Sequence, residues 1–381
     1  NICDFAFCNS KIHSLKFQEG SEIVSIGKSA FEGTCITTID IPPSVKVIKE
    51  KAFYRCSQLE SINFSEDSEL TSISISAISN SHIKVFCIPP KLENLIYEDD
   101  SFLDELPNII ISPKNKNFKF INNEMLVGKS NKEIDQYDTL YLLSRNSKNI
   151  KIPSEIKIII PNVIKNFKCI ETIEFESGSQ LTKIDECFFV SANIEHILIP
   201  KHVKHIYSSA FQQSKLKTIE FEKDSELVLI DKFAFYDNRN LTSISIPSSV
   251  QYINFRAFCF CDKLENVEFP EDSQLISIGE EAFSKTLIKK IVLPRHLKVI
   301  ERGAFQNCFS LKSVTFSDNS ELITIKSLAF GCTQIESFTI PDSVKNIEDG
   351  LFHGSEKLSE FNISENSELV SISLIFSQSN V

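Results

Sequence analysis

The apolar residues of this chain follow a pattern that is clearest in Leu241–Leu264, which reads LTSISIPSSVQYINFRAFCFCDKL. Its first residues have the spacing L-x-x-I-x-I, which is typical of a half-buried β-strand. A proline closes the strand, a second apolar pair follows as V-x-x-I, and Ala257-Phe258 ends the unit before the next leucine restarts it. The pattern therefore predicts a short strand, a turn, a second short apolar segment and a compact turn at Ala-Phe.

The unit is about 23 residues long and recurs along nearly the whole chain. A repeat of that length is typical of a solenoid, because one coil, meaning one copy of the unit, cannot bury its apolar face until neighbours stack on it. Equivalent residues of stacked coils lie about 4.8 Å apart, so we expect the recurring Phe to form an internal column. The last residue of each Ala-Phe, or of its degenerate copy, is a landmark, and about fifteen occur: Phe7, Phe31, Phe53, Ile78, Phe102, Ile164, Phe189, Phe211, Phe235, Phe258, Phe283, Phe305, Phe330, Phe352 and Phe376.

Two kinds of turn alternate after the strands. One is short and led by proline, as in IPSSV at 246–250, and the other is longer and acidic, as in FEKDSEL at 221–227. Proline lacks an N–H and ends a strand where no donor is needed, whereas Asp and Ser bond their own backbone and close the longer turn. The alternation predicts a super-repeat of two coils and about 47 residues.

One interval breaks the rhythm. Residues 113–149 carry no landmark and alternate polar and apolar positions around Asn122-Asn123 and Gly128-Lys129, which predicts one or two hairpins inserted between coils of a solenoid that spans 1–381. The segment just before them holds several carboxylates, which are typical of a solvated loop and less often of a cation site. These carboxylates are Glu98, Asp99, Asp100, Asp104 and Glu105.

The net charge of −11 and the pI near 5.3 argue against nucleic acid as a partner, because neutralising phosphates requires clustered Lys and Arg. The same charge disfavours adsorption to anionic lipid, and no apolar run is long enough to predict direct membrane insertion. The chain starts and stops partway through a repeat, so we expect a mature form or an expressed fragment of a longer protein, and any signal or anchor segment would lie outside it.

The repeats resemble those of the BspA-like leucine-rich repeat family, which occurs in surface proteins of oral bacteria and mucosal parasitic protists. The resemblance rests on Leu241–Leu264, on Ser25–Cys56 and on Val299–Phe316. It implies a leucine-rich repeat solenoid, that is, a β-rich, right-handed, curved superhelix with a concave parallel sheet and short helical turns near Ala-Phe. It also implies a non-enzymatic surface antigen or adhesin, at the cell surface or secreted, that binds host extracellular matrix or a cell-surface protein. An intracellular protein-interaction scaffold in the cytoplasm is the alternative, and the thiols permit it.

In L-x-x-I-x-I the residues flanking the middle Ile point out of the sheet. Along the central coils these outward positions alternate between carboxylates and mostly apolar residues, which predicts a binding site for a basic or mixed protein surface. The alternation also has a purely structural explanation, because neutral residues between like charges reduce repulsion across the sheet. The predicted ligand-binding residues on the concave face are Glu174, His196, Leu198, Glu220, Asn266, Glu268, Lys290 and Val292.

Nothing in the sequence predicts an enzyme, a cofactor or a metal site. Glu174 and Glu220 lie two coils apart, near the upper limit of separation for an inverting glycosidase, and no feature encloses them. His202 and His205 are three residues apart on extended chain, so their rings are expected on opposite faces.

The cysteines contain no C-x-x-C pair, and their number is odd, so they do not indicate a disulfide framework. Cys56, Cys261 and Cys308 all lie three residues after a landmark Phe, where we expect buried thiols at a tight turn. Only neighbouring coils bring cysteines near each other, as for Cys308 and Cys332. Sequons occur at three positions, of which two are expected on the concave face: Asn63, Asn240 and Asn362.

Overall fold

A computed structural model describes residues 1–97, 107–131, 133–144, 147–161, 163–164 and 170–375. The chain divides into two compact units. Unit 1 comprises Asn1–Ser147 and Glu155–Ile164, and unit 2 comprises Lys148–Ser154 and Lys165–Val381. Both are β-solenoids, and the chain makes about 14 turns, close to the number of coils expected from the repeat.

Unit 1 contains two solenoid sheets and one hairpin sheet. The strands β1, β3, β5 and β7 form one parallel sheet, and β2, β4, β6 and β8 form another. The strands are β1 Ser25–Ile26, β2 Thr38–Ile41, β3 Val47–Ile48, β4 Ser61–Phe64, β5 Ser72–Ser74, β6 Val85–Ile88, β7 Asn94–Ile96, β8 Asn108–Ile111, β9 Phe118–Ile121, β10 Met125–Gly128, β11 Thr139–Leu143 and β13 Ile158–Ile159.

The hairpin sheet of unit 1 lies within 113–149, where β9, β10 and β11 run antiparallel and β11 pairs in parallel with β13. The middle strand β10 is buried along its whole length. A Cβ at its last residue, Gly128, would lie 2.7 Å from the Tyr141 ring and 2.8 Å from the Phe118 ring, so glycine permits this close packing.

Unit 2 contains two alternating kinds of strand. The strands are β12 Asn149–Ile152, β14 Thr172–Phe175, β15 Lys183–Ile184, β16 His196–Ile199, β17 His205–Ile206, β18 Thr218–Phe221, β19 Leu229–Ile230, β20 Ser243–Ser245, β21 Tyr252–Ile253, β22 Asn266–Glu268, β23 Ser277–Ile278, β24 Lys290–Leu293, β25 Val299–Ile300, β26 Ser313–Phe316, β27 Thr324–Ile325, β28 Ser337–Thr339, β29 Asn346–Ile347, β30 Glu360–Asn362 and β31 Ser371–Ile372.

The two-residue strands of unit 2 form one continuous, nine-stranded parallel sheet from β15 to β31. From β15 to β29 the second residue of each strand is a buried Ile, and these Ile residues pair in register, as Ile230 does with Ile253. This sheet is the V-x-x-I segment of the repeat, and it links each coil of the unit to the next from β15 to β31.

The longer strands of unit 2 pair two by two: β12 with β14, β16 with β18, β20 with β22, β24 with β26, and β28 with β30. We call each pair a doublet, and the outward side chains of the five doublets the doublet face. The first strand of a doublet precedes a proline-led turn, and the second precedes an acidic loop. The predicted super-repeat of two coils therefore corresponds to one doublet, and the backbone pairing stops after each longer loop.

The Ala-Phe segments form a third set of contacts between coils. The landmark Phe donates its backbone N–H to the Ala carbonyl of the next coil, as from Phe258 to Ala282 at 2.8 Å. The residues two before and two after it have positive φ, for example 52° at Arg256 and 62° at Phe260. These left-handed residues interrupt any helical run, so most of the helical turns expected near Ala-Phe are bonded turns instead. The degenerate copy Ala77-Ile78 is the exception. The described residues contain one 3-10 helix, Ile75–Ile78.

The landmark phenylalanines form the expected internal column. In unit 1 the rings of Phe7, Phe31 and Phe53 stack with centroids 5.2 and 5.3 Å apart. In unit 2 the column runs from Phe189 to Phe352 with centroids 4.9 to 6.1 Å apart. Phe102 and Phe376 lie outside the described residues. The core of each unit is thus a stack of near-parallel rings at about the spacing of β-strands.

In several coils the residue three after the landmark donates a hydrogen bond to a buried carbonyl. The thiols of Cys56, Cys261 and Cys308 donate to the landmark carbonyls of the preceding coils at 3.0, 3.2 and 3.1 Å. Asn238 makes the equivalent contact with Phe211 at 2.7 Å. Burial raises the pKa of Cys308 to about 11, so the thiol stays protonated and remains a donor. The expectation of buried structural thiols is confirmed, and all the described cysteines are free.

Replacing a ring in the middle of the column tests its contribution. We expect Phe258→Ala to lower the free energy of unfolding by about 3–5 kcal/mol, because the cavity interrupts stacking on both sides. Phe309→Ala is the matched control, because Phe309 is 62% exposed, and should change stability by less than about 0.5 kcal/mol. Urea unfolding followed by circular dichroism measures both, and equal effects would contradict the column as the core.

The thiol of Cys308 makes stability depend on pH in the alkaline range. The folded pKa of about 11 exceeds the ordinary value of 9.0, so the unfolded chain loses this proton first. The contribution of this buried thiol to the free energy of unfolding is complete below pH 9. It is lost as pH rises toward 11, at about 1.4 kcal/mol per pH unit. Cys308→Ser keeps a donor that does not titrate. Urea unfolding between pH 7 and pH 11 should show wild type declining more steeply than this variant, and parallel curves would refute the assignment.

Candidate functional site

The eight residues expected to face a ligand all lie at outward positions of the doublet face, and all are exposed. Leu198 is 49% exposed and Val292 is 55% exposed. The structure brings His196, Leu198 and Glu220 together in the β16–β18 doublet. Asn266 and Glu268 share the next doublet, and Lys290 and Val292 share the one after it.

The three carboxylates occupy the same place in successive doublets. Glu174, Glu220 and Glu268 each lie on the second strand, opposite Lys151, Leu198 and Ser245 on the first. Two strand spacings separate neighbouring carboxylates, about 9.6 Å, which weakens their mutual repulsion. None of the described residues forms an ion pair or hydrogen bond with the side-chain carboxylate of any of the three.

A second column of charges runs along the edge of the doublet face, and there the charges are paired. Lys148 pairs with Glu171, Lys217 with Glu195, and Lys289 with Glu265, each at 2.7 Å. The hydrogen bond from Lys217 lowers the pKa of Glu195 below its usual value. The edge of the face is therefore neutralised within the protein, whereas its central carboxylates keep their charge available.

Polar contacts also order the outer column of the face. His196 shares a 2.7 Å hydrogen bond between Nδ1 and the Thr218 hydroxyl. Thr172 donates its hydroxyl to the Asn149 side chain, also at 2.7 Å. The sequence pattern places Thr172 and Thr218 at outward positions but does not predict their hydrogen-bond partners. The partner depends on which residue of the neighbouring strand lies opposite, and that register is known only from the structure.

Sequence reasoning also missed the strands that follow Val292. The outward positions of β26 and β28 are all hydroxyl residues, Ser313, Thr315, Ser337 and Thr339. The sequence does show this feature, because the four consecutive outward positions of these two strands all lack charge. Hydroxyl residues at outward positions are common on exposed strands, so the pattern alone does not predict a site there.

The described residues contain no group of three or more His, Cys, Asp or Glu side chains arranged to hold a metal ion. His202 bonds Glu226 through Nδ1 at 2.9 Å, whereas His205 opens β17 and lies beside the Tyr207 ring. The two histidines therefore have different partners. The acidic segment from Glu98 to Glu105 lies outside the described residues. In the part of the chain that is described, no helix has the length and apolar character to cross a bilayer.

The sequon asparagines lie on the long strands or beside them. Asn63 is exposed in unit 1 and donates its side-chain amide to Asp40 at 2.8 Å. Asn362 is exposed on β30, and Asn240 is half-buried before β20. Glycans at Asn63 or Asn362 would occupy outward positions of the long strands.

Comparison with known families gives one match. A family model described as "BspA type Leucine rich repeat region (6 copies)" matches residues 1–107, 130–229 and 228–359. These segments cover most of the chain. No curated protein matches it.

Solved leucine-rich repeat proteins resemble the chain in structure. One from Bacteroides ovatus has a TM-score of 0.53 at 20% identity and covers 92% of this chain and 88% of that chain. One from Eubacterium ventriosum has a TM-score of 0.48 at 20% identity, with coverages of 88% and 81%. A leucine rich cell surface protein from Faecalibacterium prausnitzii has a TM-score of 0.36 at 20% identity, with coverages of 65% and 74%. The likeness to the Bacteroides ovatus protein concerns the fold alone.

Proposed function

The chain belongs to the BspA-type leucine-rich repeat family, and from that premise we propose that it is a non-enzymatic recognition protein whose doublet face binds a protein partner. The partner presents basic groups spaced to meet Glu174, Glu220 and Glu268. Leu198 and Val292 supply apolar contact area between and beside these charges.

The observation that supports this proposal is the contrast between paired and unpaired charges on one face. The edge carboxylates Glu171, Glu195 and Glu265 are neutralised by lysines of neighbouring coils. The central carboxylates have no such partner among the described residues, and exposed aliphatic side chains accompany them. Available carboxylates beside exposed apolar area suit a partner that presents basic and apolar groups, because complementary charge across an interface favours association and fixes register.

The fold also favours binding by holding this surface in place. Each outward side chain is anchored between buried neighbours on its own strand, as Leu198 is between Ile197 and Ile199. The strands are joined within doublets, and the nine-stranded sheet joins the coils beneath. Little conformational entropy is lost when such residues meet a partner, which improves affinity for a given contact area.

The non-enzymatic part of the proposal rests on how the acidic groups are placed. Glu174 and Glu220 are both exposed on separate doublets, and the exposed Leu198 lies between them in chain order. General acid catalysis by a carboxyl group relies on burial or a close charge to adjust its proton affinity. The doublet face offers charge for binding rather than an enclosed site for chemistry.

We place the protein at the cell surface or in secreted form, as an adhesin or antigen whose partner belongs to host extracellular matrix or to a cell surface. The support for this location is the BspA-type repeat, because the resemblance described above implies a surface protein.

Location is tested by treating intact source cells with a protease. A surface protein should lose its immunoblot signal before the cells are lysed, while a cytoplasmic marker enzyme survives. Protection of the chain until lysis would contradict surface display.

Binding is tested with the triple charge reversal Glu174→Lys, Glu220→Lys and Glu268→Lys. Wild type should bind at least one member of a panel of purified matrix and cell-surface proteins, and affinity should weaken as salt rises. The triple variant should bind that partner at least about tenfold more weakly, because repulsion replaces three attractions. Surface plasmon resonance at two ionic strengths provides the measurement.

The matched control reverses three exposed carboxylates of the acidic loops, Glu271→Lys, Asp272→Lys and Asp318→Lys, which changes net charge equally away from the doublet face. Its affinity should stay within about twofold of wild type if the effect is local. Equal losses in both variants would show a general charge effect. Unchanged binding by the first variant would remove the proposed site.

A further inference from the structure

A groove of about 730 Å³ opens on unit 2 where two doublets meet without hydrogen bonding. Its floor is made by β26 of one doublet and β28 of the next. The volume lies within the range of about 300–1,000 Å³ that small-molecule sites occupy. The groove is separate from the eight residues of the protein-binding proposal and does not depend on that proposal.

The floor of this groove differs from the corresponding positions elsewhere in unit 2. Its outward residues are Ser313, Thr315, Ser337 and Thr339, all exposed. At the three preceding junctions between doublets the outward positions include Glu174, Glu220 or Glu268. Here alone, within the described strands of unit 2, two neighbouring doublets meet with four hydroxyls and no charge.

Short side chains account for both the space and the chemistry. Ser and Thr extend only a short distance above the strands and leave room that Glu, Lys or His would occupy. Each hydroxyl both donates and accepts hydrogen bonds. Outward residues of one strand are about 7 Å apart, so two such pairs cover an area similar to one sugar ring.

The rest of the lining adds apolar contact and hydrogen-bond acceptors. Phe316 is half-buried, packs edge-on against Phe338 at 5.7 Å, and lines the groove together with Pro341. The loops that follow the strands contribute Asn319, Asp342 and Glu368, all exposed. Asp342 accepts a hydrogen bond from Ser364, and Glu368 pairs with Lys345 at 3.4 Å, which orients both carboxylates.

We propose that this groove binds a neutral oligosaccharide. A pyranose ring presents hydroxyls along its edges and C–H groups on its faces, which match the hydroxyl floor and the Phe316 and Pro341 surfaces. Carboxylate and amide oxygens accept from vicinal sugar hydroxyls. The same carboxylates disfavour uronic acids, sulfated sugars and phosphates, because like charges repel in the groove.

The test uses isothermal titration calorimetry with maltohexaose, cellohexaose, xylohexaose, mannohexaose and chitohexaose, and with hexagalacturonic acid as the charged comparator. At least one neutral chain should bind with a Kd below about 1 mM. Thr315→Tyr and Thr339→Tyr fill the groove and should each weaken that binding about tenfold or more. Thr315→Ser keeps the hydroxyl, so this variant should bind the oligosaccharide as wild type does.

Ser245→Tyr is the matched control, because Ser245 is an exposed hydroxyl at the equivalent outward position of β20. It should leave oligosaccharide binding unchanged, as should the triple glutamate reversal of the doublet face. The proposal is overturned if none of the five neutral chains binds, if hexagalacturonic acid binds as tightly, or if Ser245→Tyr weakens binding as much as Thr315→Tyr. Thermal melts of each variant establish that a loss of binding is not a loss of folding.

Discussion

The fold rests on contact between one coil and the next, because no single coil has an interior of its own. In the middle of unit 2 each landmark phenylalanine packs between the rings of the coils on either side, as Phe258 does between Phe235 and Phe283 at 5.0 and 5.1 Å. The landmark amide bonds the next coil, and in several coils the landmark carbonyl accepts a side-chain donor from that coil, as Phe235 does from Cys261. The stacking that buries the apolar surface thus also provides hydrogen-bond partners for buried backbone groups. Few buried polar groups in the core therefore carry an uncompensated desolvation penalty.

This arrangement leaves the outward positions of the long strands free to vary. Their neighbours on each strand, such as Ile197 and Ile219, supply the burial, so Leu198 and Glu220 contribute little to the core. Side chains that the fold does not require can be selected for contact with other molecules. Unit 2 uses this freedom in two ways, with unpaired carboxylates and aliphatic groups on the central doublets and uncharged hydroxyls at β26 and β28.

Much of this was predictable from the sequence, for a physical reason. A period of two residues fixes which side chains of L-x-x-I-x-I point outward, so the placement of Glu174 and Val292 followed directly, as did the phenylalanine column. The left-handed residues around Ala-Phe were not predictable, because residue types such as Arg256 and Phe260 seldom adopt positive φ. At these positions bonded turns replace the expected helical turns, and a helical turn is present only at Ile75–Ile78 among the described residues. Strand pairing by doublets and the lysine pairs at the edge depend on register between coils, which hydrophobic pattern alone does not specify.

The most direct test of the central claim is native-state hydrogen exchange of the backbone amides in unit 2. The account predicts that the amides of Phe211, Phe235, Phe258 and Phe283 are among the slowest to exchange, because each bonds the alanine carbonyl of the next coil within the shared core. Loop amides such as those of Glu271 and Asp272 should exchange far faster. Landmark amides that exchange as rapidly as these loop amides would contradict a structure held together by contact between coils.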